Sequence, residues 1–334
     1  MKPTIYDVAR AAGVSIATVS KVINNTGRIS DKTRMKVNKV MEELRYQPSM
    51  VASALTGKRM NTIGLLLKDL ANPFFAEVAR AVEDRGQELG FNVVMCNTDN
   101  DSDKEAGYIT LLMQKKVDGI IVATDFRNHT ILKDLVSDDF PVALISQEIP
   151  ELAVDSVLVD DYLGGYQVTN HLISLGHRSI AMIAEDGRSS LGRIRGYRQA
   201  LEDAGIPFDE SMLITCEATV EEGYRNGGRF LDTLNPLTAI FASNDLLAVG
   251  VMKAARERNI RIPDDLSVVG FDNTILAAFI DPPLTSVAQP IQDMGRQVVD
   301  FLVKRIEGEN KMKQRVVLMP ELVIRNSTGP AKAH

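Results

Sequence analysis

Thr4-Ile-Tyr-Asp-Val-Ala-Arg-Ala-Ala-Gly-Val-Ser-Ile-Ala-Thr-Val-Ser-Lys-Val-Ile-Asn24 is the stretch on which the reading of this chain turns. Ile5, Val8, Ala9 and Ala12 recur at helical spacing, with Thr4 and Asp7 placed like a variant capping box. Gly13 breaks that helix. Ser15 then caps a second one, whose inward face is Val19, Val22 and Ile23. Further on, Ser30 opens a third helix with Val37, Val40, Met41 and Leu44 on one stripe. Two short helices joined by a Gly-containing turn and buttressed by a third predict a helix-turn-helix.

In that motif the second helix enters the major groove and its first residues meet base edges. Ile16, Ala17 and Lys21 point outward there. Ile16 and Ala17 can pack against thymine methyl groups, and Lys21 can donate to guanine or to a phosphate. The plainer reading of Ile16 is an exposed apolar residue without a role. Charge agrees with the polyanion. Residues 1–60 hold eleven Lys/Arg against four Asp/Glu, a net of +7, and the remainder holds 27 against 40, a net of −13. Charge alone would equally suit anionic lipid, so the pattern carries the argument.

The stretch 4–24, followed by Tyr46-Gln-Pro-Ser-Met-Val-Ala-Ser-Ala-Leu55, strongly resembles the lactose/galactose repressor family, and the resemblance continues to about residue 328. It implies a DNA surface of Thr4, Ser15, Ile16, Ala17, Thr18, Ser20, Lys21 and Asn24, joined by Ser49, Ala52 and Leu55 from the next element. That element, 48–57, has Pro48 and Ser49 suited to a helix start and Gly57 to its end. It is shorter than the roughly 12–15 residues at which isolated helices become even marginal in water. The family counterpart is a hinge helix, and Leu55 would be its minor-groove wedge.

Beyond residue 60 apolar runs end in polar residues: Ile63–Asp69, Val93–Asp99, Ile120–Asp125, Val142–Gln147, Val157–Asp161, Ile180–Asp186, Ala239–Asp245 and Val268–Asn273. Helical stretches such as 75–89, 104–116, 164–175, 193–204 and 245–258 separate most of them. Such alternation predicts parallel α/β sheets, whose ligands bind at the carboxyl ends of the strands. The fold expected is therefore a small all-α helix-turn-helix head plus a two-lobed, periplasmic-binding-protein-like α/β body. The boundaries expected are 1–47 for the head, 48–60 for the hinge helix and linker, and 61–334 for an effector-binding and dimerisation domain. Within it, lobe 1 takes about 61–160 and 286–316, and lobe 2 about 161–285 and 317–330.

The resemblance also implies an effector site between the lobes. Phe74 and Phe75, after Asn72-Pro73, match positions that stack on the effector. Arg193, in Gly192-Arg-Ile-Arg-Gly-Tyr197, matches an arginine that clamps hydroxyls or a base. Asn244, Asp272 and, more weakly, Asp160 match polar contacts. One departure matters: some relatives carry a second stacking ring where this chain reads Cys216-Glu-Ala-Thr219. That favours a sugar or sugar phosphate over a flat purine.

Other functions fit less well. No Walker loop, G-x-S-x-G, H-E-x-x-H or strand–G-x-G-x-x-G–helix unit occurs, and the four histidines lack metal-ligand spacing, so neither an enzyme nor a metal or cofactor is expected. Cys96 and Cys216 read as free thiols in a reducing compartment rather than one disulfide. The start, Met1-Lys2-Pro3-Thr4, has no apolar signal segment and no run approaches a membrane span. These features predict a cytoplasmic, nucleoid-associated repressor that binds a palindromic operator as a homodimer. The tail 325–334 has no leucine heptads, so a tail-mediated tetramer is not expected. The alternative is a regulator whose co-effector is a phosphorylated carrier protein docked on the body.

Overall fold

The computed structural model describes residues 3–23, 26–46, 59–123, 125–127, 129–233, 237–309 and 312–332. The chain divides into two units, 1–60 and 61–334. The expected hinge helix 48–57, with Ser49, Ala52 and Leu55, lies outside the described residues, as does Asn24.

The first unit is three helices: α1 (Ile5–Ala12), α2 (Ile16–Ile23) and α3 (Asp31–Glu43). Each start has a local cause. The Asp7 carboxylate accepts from the Thr4 backbone N–H at 2.9 Å and its hydroxyl at 2.7 Å, and Ser15 Oγ accepts from the Thr18 N–H at 3.1 Å. Gly13 ends α1 at φ 62°, a left-handed conformation in which glycine avoids a Cβ clash. Val8, Ala9, Ala12, Val19, Val22 and Val37 form the buried core, the stripes that the spacing marks out.

The second unit holds two six-stranded sheets. Sheet one runs β11 (Arg315–Leu318), β5 (Asp155–Val159), β4 (Val142–Ile145), β3 (Gly119–Ala123), β1 (Thr62–Leu67), β2 (Asn92–Asn97), all parallel. Sheet two runs β12 (Glu321–Val323), β10 (Thr285–Ala288), β9 (Ser267–Asp272), β8 (Ala239–Ala242), β6 (Ile180–Glu185), β7 (Leu213–Cys216). Only the β10–β12 pairing there is antiparallel. Helices α4 (Pro73–Glu88), α5 (Ser102–Gln114) and α6 (His129–Ser137) follow strands of the first sheet. Helices α7 (Asp161–Ser174), α8 (Arg188–Asp203), α9 (Val220–Thr233), α10 (Asp245–Glu257) and the short α11 (Ile275–Phe279) belong with the second. The last helix, α12 (Ile291–Glu307), returns to pack its buried residues with those of α4 in the first lobe's core.

Strands β1, β3 and β4 are buried on both faces, which is why they read as unbroken apolar runs. The chain passes between the sheets after β5, after β10 and after β11. Two expected edges move. Residues 286–288 pair within the second sheet, so lobe 1 resumes after Ala288 rather than at 286, and β11 keeps the chain there to Leu318 rather than 316. Neither strand is a long buried apolar run: Thr285 and Ser286 are polar yet buried, and β11, Arg315-Val-Val-Leu318, is a short half-exposed edge. Cys96 and Cys216 are both free thiols. Among the described residues no helix is long and apolar enough to cross a membrane.

Candidate functional site

On the head, α2 leaves Ser15, Ile16, Ala17 and Lys21 exposed on its outer face, with Thr18 and Ser20 half-buried beside them. Ile16 is 41% exposed, in a helix whose other large apolar residues, Val19, Val22 and Ile23, turn inward. Thr4 is exposed at the start of α1, and its capping duty occupies its hydroxyl. Tyr6, 63% exposed on the same helix, escapes a reading of the sequence, because an aromatic among core positions passes for core.

The second candidate site is a cavity of about 70 Å³ between the carboxyl ends of the two sheets. Phe74 and Phe75 stand in its wall at the start of α4. Asn72 Oδ1 accepts from the Phe74 N–H at 3.0 Å and Pro73 holds the first helical position, which sets the direction of both rings. The rings meet edge to face at 5.1 Å between centroids.

Arg193 projects from α8 into the opposite wall, only 4% exposed. Its Nε donates to Asp161 Oδ1 at 2.8 Å, and its Nη1 donates to the Ser243 carbonyl and lies 3.9 Å from Asp272 Oδ1. The guanidinium rests 3.6 Å over the Phe271 ring. Asp272 ends β9 at φ 102°, a strained conformation for a residue with a Cβ, and accepts from Gln289 Nε2 at 2.7 Å. Burial raises the pKa of both Asp161 and Asp272, while the Arg193 charge pulls each back down.

Two of the six expected contacts act as helix caps. Asp160 is the N-cap of α7, its Oδ1 accepting from the Leu163 N–H at 2.9 Å. Asn244 is the N-cap of α10, accepting from the Leu247 N–H at 2.9 Å, and its amide reaches Glu185 at 3.4 Å. Neither is in the cavity wall. An Asp or Asn just after a strand looks the same in sequence whether it caps the next helix or faces a ligand.

The wall also holds residues beyond those expected: Lys68, Asp125, Ser146, Gln147, Asp161, Glu185, Asp186, Arg188 and Gln289. Several sit at the strand ends already noted, but their meeting required the fold. Gln147 Nε2 donates to the Val122 carbonyl at 3.4 Å and Gln289 Nε2 to Asp272, so the two amide oxygens are left over. Both are buried without a hydrogen-bond partner among the described residues, as is Ser146 Oγ. Unpartnered buried acceptors are rare in folded proteins and mark a place for a donor. Among the described residues no group of His, Cys, Asp and Glu could hold a metal ion.

A helix-turn-helix head and a body of two parallel-sheet lobes with a polar cavity between the lobes are the architecture of a DNA-binding regulator. Residues 4–49 match the bacterial regulatory proteins of the lacI family, and residues 169–328 match the periplasmic binding protein-like domain. The chain is 53% identical over 335 residues to the HTH-type transcriptional regulator DegA of Bacillus subtilis, covering 99% of both chains. Two solved structures are similar as well. The lac repressor dimer bound to operator and the anti-inducer ONPF shares 29% identity, with a TM-score of 0.88 over 98% of this chain and 100% of that one. A LacI family regulator from Enterococcus faecium with bound ribose shares 34%, with a TM-score of 0.75 over 81% and 100%. The chain belongs to the LacI family and is a transcriptional regulator, not an enzyme.

Proposed function

We propose that this regulator represses by binding a two-fold-symmetric operator as a dimer, and that a polyhydroxylated small molecule in the inter-lobe cavity controls it. The observation that carries the effector class is the set of orphaned acceptors, Gln147 Oε1, Gln289 Oε1 and Ser146 Oγ. The amide oxygens call for donors, which a sugar's hydroxyl groups supply. Five carboxylates in the wall (Asp125, Asp161, Glu185, Asp186, Asp272) add further acceptors, and Phe74 and Phe75 offer an apolar face to a sugar ring. A flat purine lacks the second ring it would stack on. Dimerisation is supported by Ile275 and Phe279 of α11, 61% and 82% exposed, since large apolar side chains left in water mark contact surfaces.

The effector reading is tested by thermal unfolding against a panel of sugars, sugar phosphates and purines. A ligand that binds only the folded chain raises its melting temperature. The stabilising compound should be a neutral polyol, and Gln147→Leu with Gln289→Leu should abolish the shift, because the donors then lose their acceptors. Stabilisation by a purine alone, or a shift untouched by these changes, would overturn it.

The DNA reading makes a separate prediction. Lys21→Ala should weaken binding to the operator by roughly 1–3 kcal/mol if its ammonium meets a base edge. If it meets phosphate alone, all sequences should weaken alike and the salt slope should fall by about one unit. Unchanged affinity on every DNA would remove Lys21 from the interface.

A further inference from the structure

Two ion pairs cross the gap between the lobes at the cavity. Lys68, just after β1 in the first lobe, makes an ion pair with Glu185 at the end of β6 in the second. The side chains are 22% and 17% exposed, so water screens the pair only in part. The other oxygen of Glu185 takes the Asn244 amide, which holds the carboxylate at that place. A second pair crosses the same gap: Arg188 Nε, in the first turn of α8, lies 3.3 Å from Asp125 Oδ1 after β3. Arg188 Nη1 also reaches the Glu148 carbonyl of the first lobe, at 3.5 Å. Both ion pairs join the two lobes, and their four side chains stand in the cavity wall.

We infer that the Lys68–Glu185 and Arg188–Asp125 pairs form a clasp that holds the two lobes together across the cleft, and that an effector enters by replacing them. The inference takes this cavity as the effector site proposed above, but its test needs no effector, so the two readings can fail separately. The clasp makes Lys68 and Glu185 specificity-determining. A phosphate or carboxylate that captured Lys68 would strand Glu185, mostly buried, without its cation. Hydroxyl groups avoid that, because one hydroxyl accepts from Lys68 while donating to Glu185. The clasp therefore selects neutral polyols over sugar phosphates, a discrimination the cations alone would reverse. It also makes closure sensitive to ionic strength, since both pairs keep some contact with water.

The experiment is hydrogen–deuterium exchange on the full-length chain without ligand or DNA, following amides at the rim of the cleft, 68–75, 125–127 and 185–190. Lys68→Met and Glu185→Gln should each speed exchange there by roughly tenfold or more, with amides in the cores of both sheets unchanged. That contrast separates opening of the lobes from general loss of stability. The reversed pair, Lys68→Glu with Glu185→Lys, should return the rim to near the wild-type rate. Raising salt should speed the wild-type rim, and speed that of Lys68→Met, which keeps only the Arg188–Asp125 pair, by less. Rim exchange equal in wild type and both single variants, or a reversed pair that exchanges as fast as either single, would overturn the clasp.

Discussion

Arg193→Ala should leave the body less stable by about 3–5 kcal/mol and deaf to its effector, because it strands two buried carboxylates at once. Arg193 is the cation beside both Asp161, at 2.8 Å, and Asp272, at 3.9 Å. The loss should also depend on pH in a definite direction. Burial already holds both carboxyls above the ordinary range, and removing the guanidinium raises them further. An acid whose pKa is higher in the folded state contributes most below its unfolded pKa, here 3.8, and loses that contribution as pH rises through the folded value. The deficit of Arg193→Ala relative to wild type should therefore be smallest near pH 4 and grow toward neutrality. Calorimetric unfolding across that range checks it. A deficit independent of pH would mean that the lost packing on Phe271, and not the stranded charge, is what the arginine supplies. Asp161→Asn in the Arg193→Ala background should recover part of the loss at neutral pH, since one stranded charge is gone.

The second large effect concerns a residue with no functional group. Gly196 of α8 crosses α7 so closely that a methyl there would run into the Tyr162 carbonyl oxygen and lie 2.6 Å from the Tyr166 amide nitrogen. Gly165 of α7 makes the reciprocal approach to the backbone of Arg193. The helix pair brings Asp161 and Arg193 into contact because two glycines let the backbones meet. Gly196→Ala should cost roughly 3 kcal/mol or more, since backbone cannot swing aside as a side chain can. It should also disturb the Asp161–Arg193 pair and weaken effector binding. Gly107 of α5 is the control: it is exposed, and a methyl there would meet nothing within 4 Å. Gly107→Ala should stabilise by about 0.4–1 kcal/mol through helix propensity and the unfolded chain. Equal and small effects at the two positions would refute the close crossing.

Much of the head is legible in the sequence because its determinants are local. The stripes of α1, α2 and α3, the Thr4–Asp7 box, the Ser15 cap and the Gly13 stop all lie within a few residues of what they control. The body's strands are legible for a related reason: a strand buried on both faces must be apolar throughout. Where that condition fails the pattern is silent. Strand β10 opens on two buried polar residues, with the Thr285 N–H answered by Ser327 Oγ and Ser286 Oγ bonded to Asp245, so only Val287 and Ala288 give it an apolar signature. Asp160 and Asn244, matched to ligand contacts through the family resemblance, serve in the fold as helix caps.

By itself the sequence determined the helical head, the basic charge it carries and the alternation that makes two parallel sheets, whereas Phe74, Phe75, Arg193 and Asp272 are site candidates through the family resemblance. The first three follow from periodicity, capping and charge, which act over a turn or a strand. Which polar ends meet was decided by tertiary structure alone. Lys68 and Glu185 are 117 positions apart, Arg188 and Asp125 are 63 apart, and nothing local in either pair foretells its partner. They meet because the chain crosses between the lobes after β5, β10 and β11, bringing the carboxyl ends of both sheets to one gap. Sequence spacing sets which face of its own element a side chain occupies, and only the packing of whole lobes sets what that face confronts.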